Sequence, residues 1–358
     1  MHTILVGLVT WIFLAYWTST NECYRNAITP TNPMKDIVYC EYDIANVKLQ
    51  EIEKPTPNDN QVLIKVRAAS LNALDVYLTR DSWLGRLFFG LRKPKETRLG
   101  RDVAGQVEAV GKNVTQFKPG DEVFGLCRGA VAEYACAFER SLVIKPPNLT
   151  FEQAASLPIA GLTALQGLRD QGKIQPGQTV LVNGATGGVG TFAVQIAKSY
   201  GAEVTAVCST RNVDLVRSIG ADHVIDYTKE DFTKSGRHYD VIFDNVCNHS
   251  ITERRRVLNP KGICVLAGMG GAGVKDGQAL ARIASIFTAR GMSSFTDQKF
   301  AQYRTRTSKQ DLAALGDLVE TGKVRPVIER TYKLSDAPAA LRHLREGHAR
   351  GKVVVTVP

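Results

Sequence analysis

The residues best suited by type and spacing to do chemistry lie between Thr179 and Lys198, TVLVNGATGGVGTFAVQIAK. Val180, Leu181 and Val182 read as a buried parallel strand, and Gly184-Ala185-Thr186-Gly187-Gly188-Val189-Gly190 breaks it. A helix is expected from about Gly190, with Phe192, Val194, Ile196 and Ala197 apolar and Gln195 and Lys198 on its wetter side. Such a succession makes an anion site, because unpaired N–H groups and the positive end of the helix dipole converge there. In register with G-x-G-x-x-G the turn reads Ala185-x-Gly187-x-x-Gly190. Gly187 would then let the backbone approach a pyrophosphate, and Gly190 would let the helix pack on its strand. A plain strand-turn-helix without a ligand is the alternative.

The next segment favours the ligand. Glu203–Cys208, EVTAVC, is a second strand at βαβ spacing, and the residue reading the adenosine ribose should follow it. Asp or Glu there would favour NAD. Ser209-Thr210-Arg211 offers two hydroxyls and a guanidinium instead, which suits a 2′-phosphate and points to NADPH. Here the alternative is an ordinary solvated loop arginine.

Further elements must position this site. The 358 residues suffice for two domains, and 44% hydrophobic with 22% charged residues is a globular composition. The formal charge of +10 attracts anions, but no dense basic run with interleaved aromatics points to nucleic acid, so a small-molecule substrate is expected. Seven cysteines, at 23, 40, 127, 136, 208, 247 and 264, are scattered without a C-x-x-C pair, which suggests a reducing compartment without disulfides.

Ile4–Trp17 is a weakly polar-to-apolar run of 14 residues, short of the ~20 that a spanning helix needs. Thr18–Pro33 reads as a linker, so folding is expected to begin at Met34. The expected location is cytoplasmic, with membrane association through residues 4–17 as the alternative. From Lys35 to Pro147 the chain is β-rich, with strand-like runs at 62–70, 103–110, 122–126, 132–137 and 142–146, which suggests a barrel. Ser82–Arg98 is both apolar and basic and reads either as a cover over the site or as a satellite core helix. Phe151–Gly172 reads as helical. Beyond it, strands at 179–183, 203–208, 223–226, 239–246 and 262–269 alternate with helices, the order of a doubly wound parallel sheet. Helices 309–322 and 336–346 and a last strand, KVVVTV, follow.

Three motifs carry a family resemblance over 34–358: Gly187 to Lys198; Gly100-Arg101-Asp102 through Gly105, Gly111 and Val114 to Lys118-Pro119-Gly120-Asp121; and Gly347 to Val354. The chain resembles the medium-chain dehydrogenase/reductase superfamily, in its zinc-free quinone oxidoreductase, zeta-crystallin-like branch. The resemblance implies an α/β fold: a GroES-like β-barrel catalytic domain plus a Rossmann doubly wound parallel-sheet cofactor domain, with the active site between them. The expected divisions are an extension over 1–33, the catalytic domain over 34–158, the cofactor domain over 159–304 and a return to the catalytic domain over 305–358. A homodimer is expected.

Zinc-dependent members of the superfamily carry Cys, His and Cys where this chain has Asn72, Arg101 and a position near Ala160, and their four-cysteine zinc lobe is absent here, so no metal site is expected. Without a Lewis acid, quinones and α,β-unsaturated carbonyls become better hydride acceptors than plain carbonyls, because conjugation carries the charge to an oxygen that hydrogen bonds can hold. The resemblance places Asn72 and Tyr77 at the nicotinamide and substrate, Asn72 as a donor to a carbonyl and Tyr77 as a proton or hydrogen-bond donor or as a core aromatic; Asp75 is expected to be structural. It places Thr163 beside the nicotinamide and Ala185, Thr186, Gly187, Gly188, Val189, Gly190, Ser209, Thr210, Arg211 and Tyr227 on the phosphate side. Asn245, Gly268, Met269 and Lys352 are expected near the nicotinamide or in a closing C-terminal loop. The expected activity is NADPH-dependent, zinc-independent reduction of a quinone or enone. A broad alcohol or aldehyde reductase and a non-catalytic NADPH-binding protein are the alternatives.

Overall fold

The computed structural model describes residues 30–83, 86, 90–267 and 297–358. Gly268 and Met269, the apolar run at 4–17 and residues 84, 85 and 87–89 of Ser82–Arg98 lie outside the described residues. Among those described, no helix is long and apolar enough to cross a membrane.

Alternating strands β1 (Pro33–Val38), β2 (Lys48–Glu53), β3 (Gln61–Leu71), β4 (Asp102–Val110), β5 (Glu122–Leu126), β6 (Tyr134–Phe138) and β7 (Leu142–Ile144) build the first half. A short helix, α1 (Ala73–Thr79), follows β3 directly. Strands β3, β4, β5 and β7 pair antiparallel, β6 joins β3, and β1 with β2 makes a separate ribbon. The seven-stranded sheet is completed from the far end of the chain by β14 (Ile328–Lys333) and β15 (Lys352–Thr356), with Val354 opposite Ser70. This is the GroES-like barrel, and the pairing fixes Lys352, one residue before Val353 opposite Leu71, beside the start of α1.

The expected helix over 151–172 is broken. Pro158 cannot continue a helix from Phe151, so α2 (Phe151–Ser156) stops and Pro158 opens α3 (Pro158–Gln166), where its missing N–H is harmless. Strands β8 (Thr179–Asn183), β9 (Glu203–Cys208), β10 (His223–Asp226), β11 (Tyr239–Asp244), β12 (Leu258–Leu266) and β13 (Lys299–Gln302) form a parallel sheet in the order β10-β9-β8-β11-β12-β13. Helices α4 (Gly188–Ser199), α5 (Val213–Ser218) and α6 (Ile251–Arg256) lie between strands. Side chains alternate between its two faces: Val180 and Val182 of β8 join one buried cluster and Leu181 the other, as a sheet covered on both sides requires. The order reverses between β8 and β11, and in such folds the crevice beyond the strand ends at that point binds the ligand. Helices α7 (Lys309–Glu320) and α8 (Ala337–Arg345) precede the closing strand.

Three sequence readings are corrected. Helix α4 begins at Gly188, two residues early, because Gly187 already serves as its N-cap. Gln195 is buried rather than wet, its amide donating to Arg325 O at 3.0 Å and accepting from Arg325 N at 2.9 Å. Cys40 is disulfide-bonded, whereas Cys127, Cys136, Cys208, Cys247 and Cys264 are free thiols. A disulfide can close a loop of any length, so irregular spacing did not exclude one.

Candidate active site

A cleft of about 1130 Å³ lies where the barrel faces the carboxyl ends of the parallel strands. Asn72 and Tyr77 line it from the barrel, Thr163 from α3, Gly187, Gly188 and Val189 from the glycine turn and α4, Asn245 from the end of β11, and Lys352 from β15.

The glycine turn owes its shape to backbone contacts. Gly184 has φ +82°, a conformation that favours glycine, so it supplies the tight turn. Ala185 is fully buried and donates its N–H to Val207 O at 3.2 Å, which removes it from direct ligand contact. A Cβ on Gly190 would lie 2.0 Å from Gly184 O and 2.8 Å from the Ala185 backbone, whereas one on Gly187 would meet nothing nearer than 3.8 Å. The turn is thus closed beneath and open above, and the open side, with the N-terminus of α4 beside it, fits a dinucleotide pyrophosphate. Gly190→Ala should force the turn apart at about 1–3 kcal/mol, weakening nicotinamide dinucleotide binding roughly 10- to 100-fold while the protein still folds. Titration of the variant giving wild-type affinity would contradict this.

The barrel and the turn are tied together by the C-terminal loop. Gly351 N donates to Thr186 O at 2.7 Å, and Arg211 Nη2 donates to His348 O at 3.4 Å. Asn245 N donates to Asn183 O at 3.1 Å; its neighbour Asp244 accepts from Val246 N, Cys247 N and Asn183 Nδ2 and pairs with Arg254 at 2.6 Å. Asp244 and Arg254 are both buried, so losing either would leave the other charge stranded, and Asp244 ties the loop at the switch point to Arg254 through its bonds to Val246 N and Cys247 N.

At the other wall, five polar residues form one buried network. Lys352 Nζ donates to Asn72 Oδ1 at 2.7 Å and lies 3.3 Å from Asp102 Oδ2. The same carboxylate oxygen accepts from Asn72 Nδ2 at 2.9 Å and Ser70 Oγ at 2.8 Å, and Oδ1 accepts from Ile159 N at 3.0 Å. An ammonium can only donate and a carboxylate can only accept, so these neighbours fix which way the Asn72 amide points. One of its two Nδ2 hydrogens is taken by Asp102. Asp75 is structural, as expected: it accepts from Asn72 N at 2.7 Å and Gly100 N at 3.2 Å, and burial pushes its carboxyl up to about 6 against those two donors.

Thr163 Oγ1 donates to Ile159 O at 2.7 Å or shares a proton with Thr305 Oγ1 at 2.9 Å, and Tyr303 OH donates to Thr163 O. Its hydroxyl is therefore engaged by α3 and by Tyr303–Thr307, a cleft-lining segment that sequence reasoning missed. Ser70 and Asp102 were also missed as site residues; the only signal was Asp102 inside Gly100-Arg101-Asp102. Arg101 lines the cleft and is paired with Glu96. Ser209, Thr210 and Arg211 follow β9 as expected, with Thr186 Oγ1 accepting from Asn212 at 3.4 Å and Tyr227, 59% exposed, donating its N–H to Cys208 O at 2.9 Å. Among the described residues, no group of three His, Cys, Asp or Glu side chains could hold a metal ion.

A barrel that receives the last strand, a six-stranded parallel sheet with a glycine turn at its switch point, and a polar cleft between them define a two-domain, dinucleotide-dependent enzyme. The chain matches the family models described as alcohol dehydrogenase GroES-like domain, over residues 58–147, and zinc-binding dehydrogenase, over residues 219–355. It is 36% identical to the NAD(P)H oxidoreductase RTN4IP1, mitochondrial, of Mus musculus, over 83% of this chain and 82% of that one. It is also 36% identical to the trans-enoyl reductase pgmF of Aspergillus terreus, over 87% and 92%. The solved quinone oxidoreductase from Coxiella burnetii superposes with a TM-score of 0.78 at 31% identity, covering 91% of this chain and all of that one. The chain belongs to the quinone oxidoreductase-type branch of the medium-chain dehydrogenase/reductase superfamily, and is an oxidoreductase that uses a nicotinamide cofactor.

Proposed function

We propose that the enzyme is an NADPH-dependent reductase of quinones or α,β-unsaturated carbonyls that works without zinc. The observation that carries this reading is the Lys352-Asn72-Asp102 network. Where metal-dependent relatives place a thiolate ligand, this chain has an amide whose oxygen is held by a buried ammonium. The bound dinucleotide supplies the hydride; the chain's own residues must orient the acceptor and hold the charge that arrives on its oxygen. Asn72 keeps one N–H for that oxygen, and the Lys352 charge 2.7 Å from its Oδ1 polarises the amide and strengthens that donor. Tyr77 lines the same cleft, and its hydroxyl is the group assigned in this reading to deliver a proton to carbon or oxygen once the hydride has landed.

Support for NADPH comes from the ribose end. Ser209 Oγ accepts from Asn212 Nδ2 at 3.1 Å, which leaves the serine proton free to donate, and the exposed Arg211 adds a guanidinium. Arg211→Ala should weaken NADPH by about 1.5–3 kcal/mol and leave NADH nearly unaffected. Equal losses for both cofactors in a binding titration would show that Arg211 is not the reader. The activity itself is tested by following NADPH oxidation with quinones, enones and saturated aldehydes after exhaustive chelation. Turnover confined to conjugated acceptors is expected; abolition by chelation, with recovery on adding zinc, would overturn the reading.

A further inference from the structure

The ribose-end loop contains a carboxylate that the order of residues conceals. Strand β10 ends beside β9, with Asp226 opposite Cys208, and this brings the Asp226 carboxyl under Ser209-Thr210-Arg211. Thr210 Oγ1 donates to Asp226 Oδ2. Thr228 Oγ1 donates to Asp226 Oδ1 at 2.7 Å, and Thr228 N donates to the same oxygen at 3.0 Å. Lys229 Nζ lies 3.5 Å from Oδ2, on an exposed side chain. The Thr210 hydrogen bond, assisted by those from Thr228, holds the carboxyl down at about 2, so it is charged at neutral pH.

The proton count then separates the loop's two hydroxyls. A hydroxyl has one proton. Thr210 commits its proton to the carboxylate, as does Thr228, whose Oγ1 lies 2.9 Å from Thr210 Oγ1, and toward the ribose Thr210 can offer only a lone pair. Ser209, held through its oxygen by Asn212, can still donate. A 2′-phosphate therefore meets two donors, Ser209 and Arg211, together with an acceptor backed by a negative charge. A free 2′-hydroxyl, which has a proton to give, meets in Thr210 the acceptor it needs.

We propose that Asp226, acting through Thr210, is a specificity-determining residue that restrains the preference for the phosphorylated dinucleotide, so that the enzyme binds both NADPH and NADH. Asp226 is a positioning residue: it sets the direction of the Thr210 hydroxyl and the local charge. The inference rests on the proposed placement of the ribose in this loop.

The test is equilibrium binding by calorimetry of NADPH, NADH, 2′,5′-ADP and 5′-AMP to the wild type, Asp226→Asn and Thr210→Val. Asp226→Asn removes a unit charge near a phosphate dianion and should raise the ratio of the NADH to the NADPH dissociation constant roughly five- to tenfold. That shift should shrink in 1 M salt, where charges are screened, which a purely structural defect would not do. Thr210→Val removes the acceptor for the 2′-hydroxyl and should move the ratio in the same direction by weakening NADH and 5′-AMP. Ratios within twofold of wild type in both variants, or a Thr210→Val variant that loses NADPH more than NADH, would overturn the proposal. If Asp226→Asn does not fold, Thr210→Val decides alone. A wild type that favours NADH would defeat the NADPH assignment, whereas the shift between variants still reports on Asp226.

Discussion

Replacing Lys352 with methionine should lower the stability of the protein by about 3–5 kcal/mol, the usual cost of stranding one member of a buried ion pair. For a chain of this size the melting midpoint should fall by on the order of 10 °C. Lys352 is 2% exposed and Asp102 fully buried, so water cannot take over from the lost ammonium. Ser70, Asn72 and Ile159 would still donate to the carboxylate, but three neutral donors do not cancel a charge, and the buried Asp75 adds a second one nearby.

The double variant Lys352→Met, Asp102→Asn separates charge pairing from packing. With both charges gone the site keeps its volume, and much of the lost stability should return even though another native residue has been removed. Thermal melts of the four proteins in the cycle measure this. If the double variant is less stable than Lys352→Met by the full cost of Asp102→Asn alone, the two residues are not coupled and the buried pair does not organise this wall.

Most of the fold was legible because its strands are short, apolar and regularly punctuated; β8, β9 and β10 begin and end where the sequence indicated. Positions set by local geometry were partly legible. The glycine cluster announced a tight turn, but only backbone angles show that Gly184 makes it. Contacts between distant segments were not legible. Lys352 and Asn72 are 280 residues apart in sequence and 2.7 Å apart in space, and no periodicity records that pairing. The same holds for Asp226. Reading along the chain, no acid follows β9; reading across the sheet, one lies directly below the loop, because parallel neighbours align their ends.

Asn72→Ala should reduce kcat with an enone or quinone by about 10²- to 10³-fold, the cost of removing one preorganised donor to a developing oxyanion. The effect should fall on kcat because the Asn72 N–H bonds more strongly to an oxygen that has gained charge than to the ground-state carbonyl. Alanine also takes away the oxygen that holds Lys352, so the ammonium keeps only Asp102, and part of the loss reflects its altered position. The dinucleotide cradle is built from backbone and touches this network only through the Lys352 stem beside Gly188, so the dissociation constant for NADPH should change less than about threefold. Single-turnover oxidation of bound NADPH measures the chemical step directly, and a separate titration measures cofactor binding. If the variant loses NADPH affinity in proportion to its rate, Asn72 shapes the cofactor site and the donor to the substrate oxygen must be sought elsewhere, with the Tyr77 hydroxyl the next group to replace.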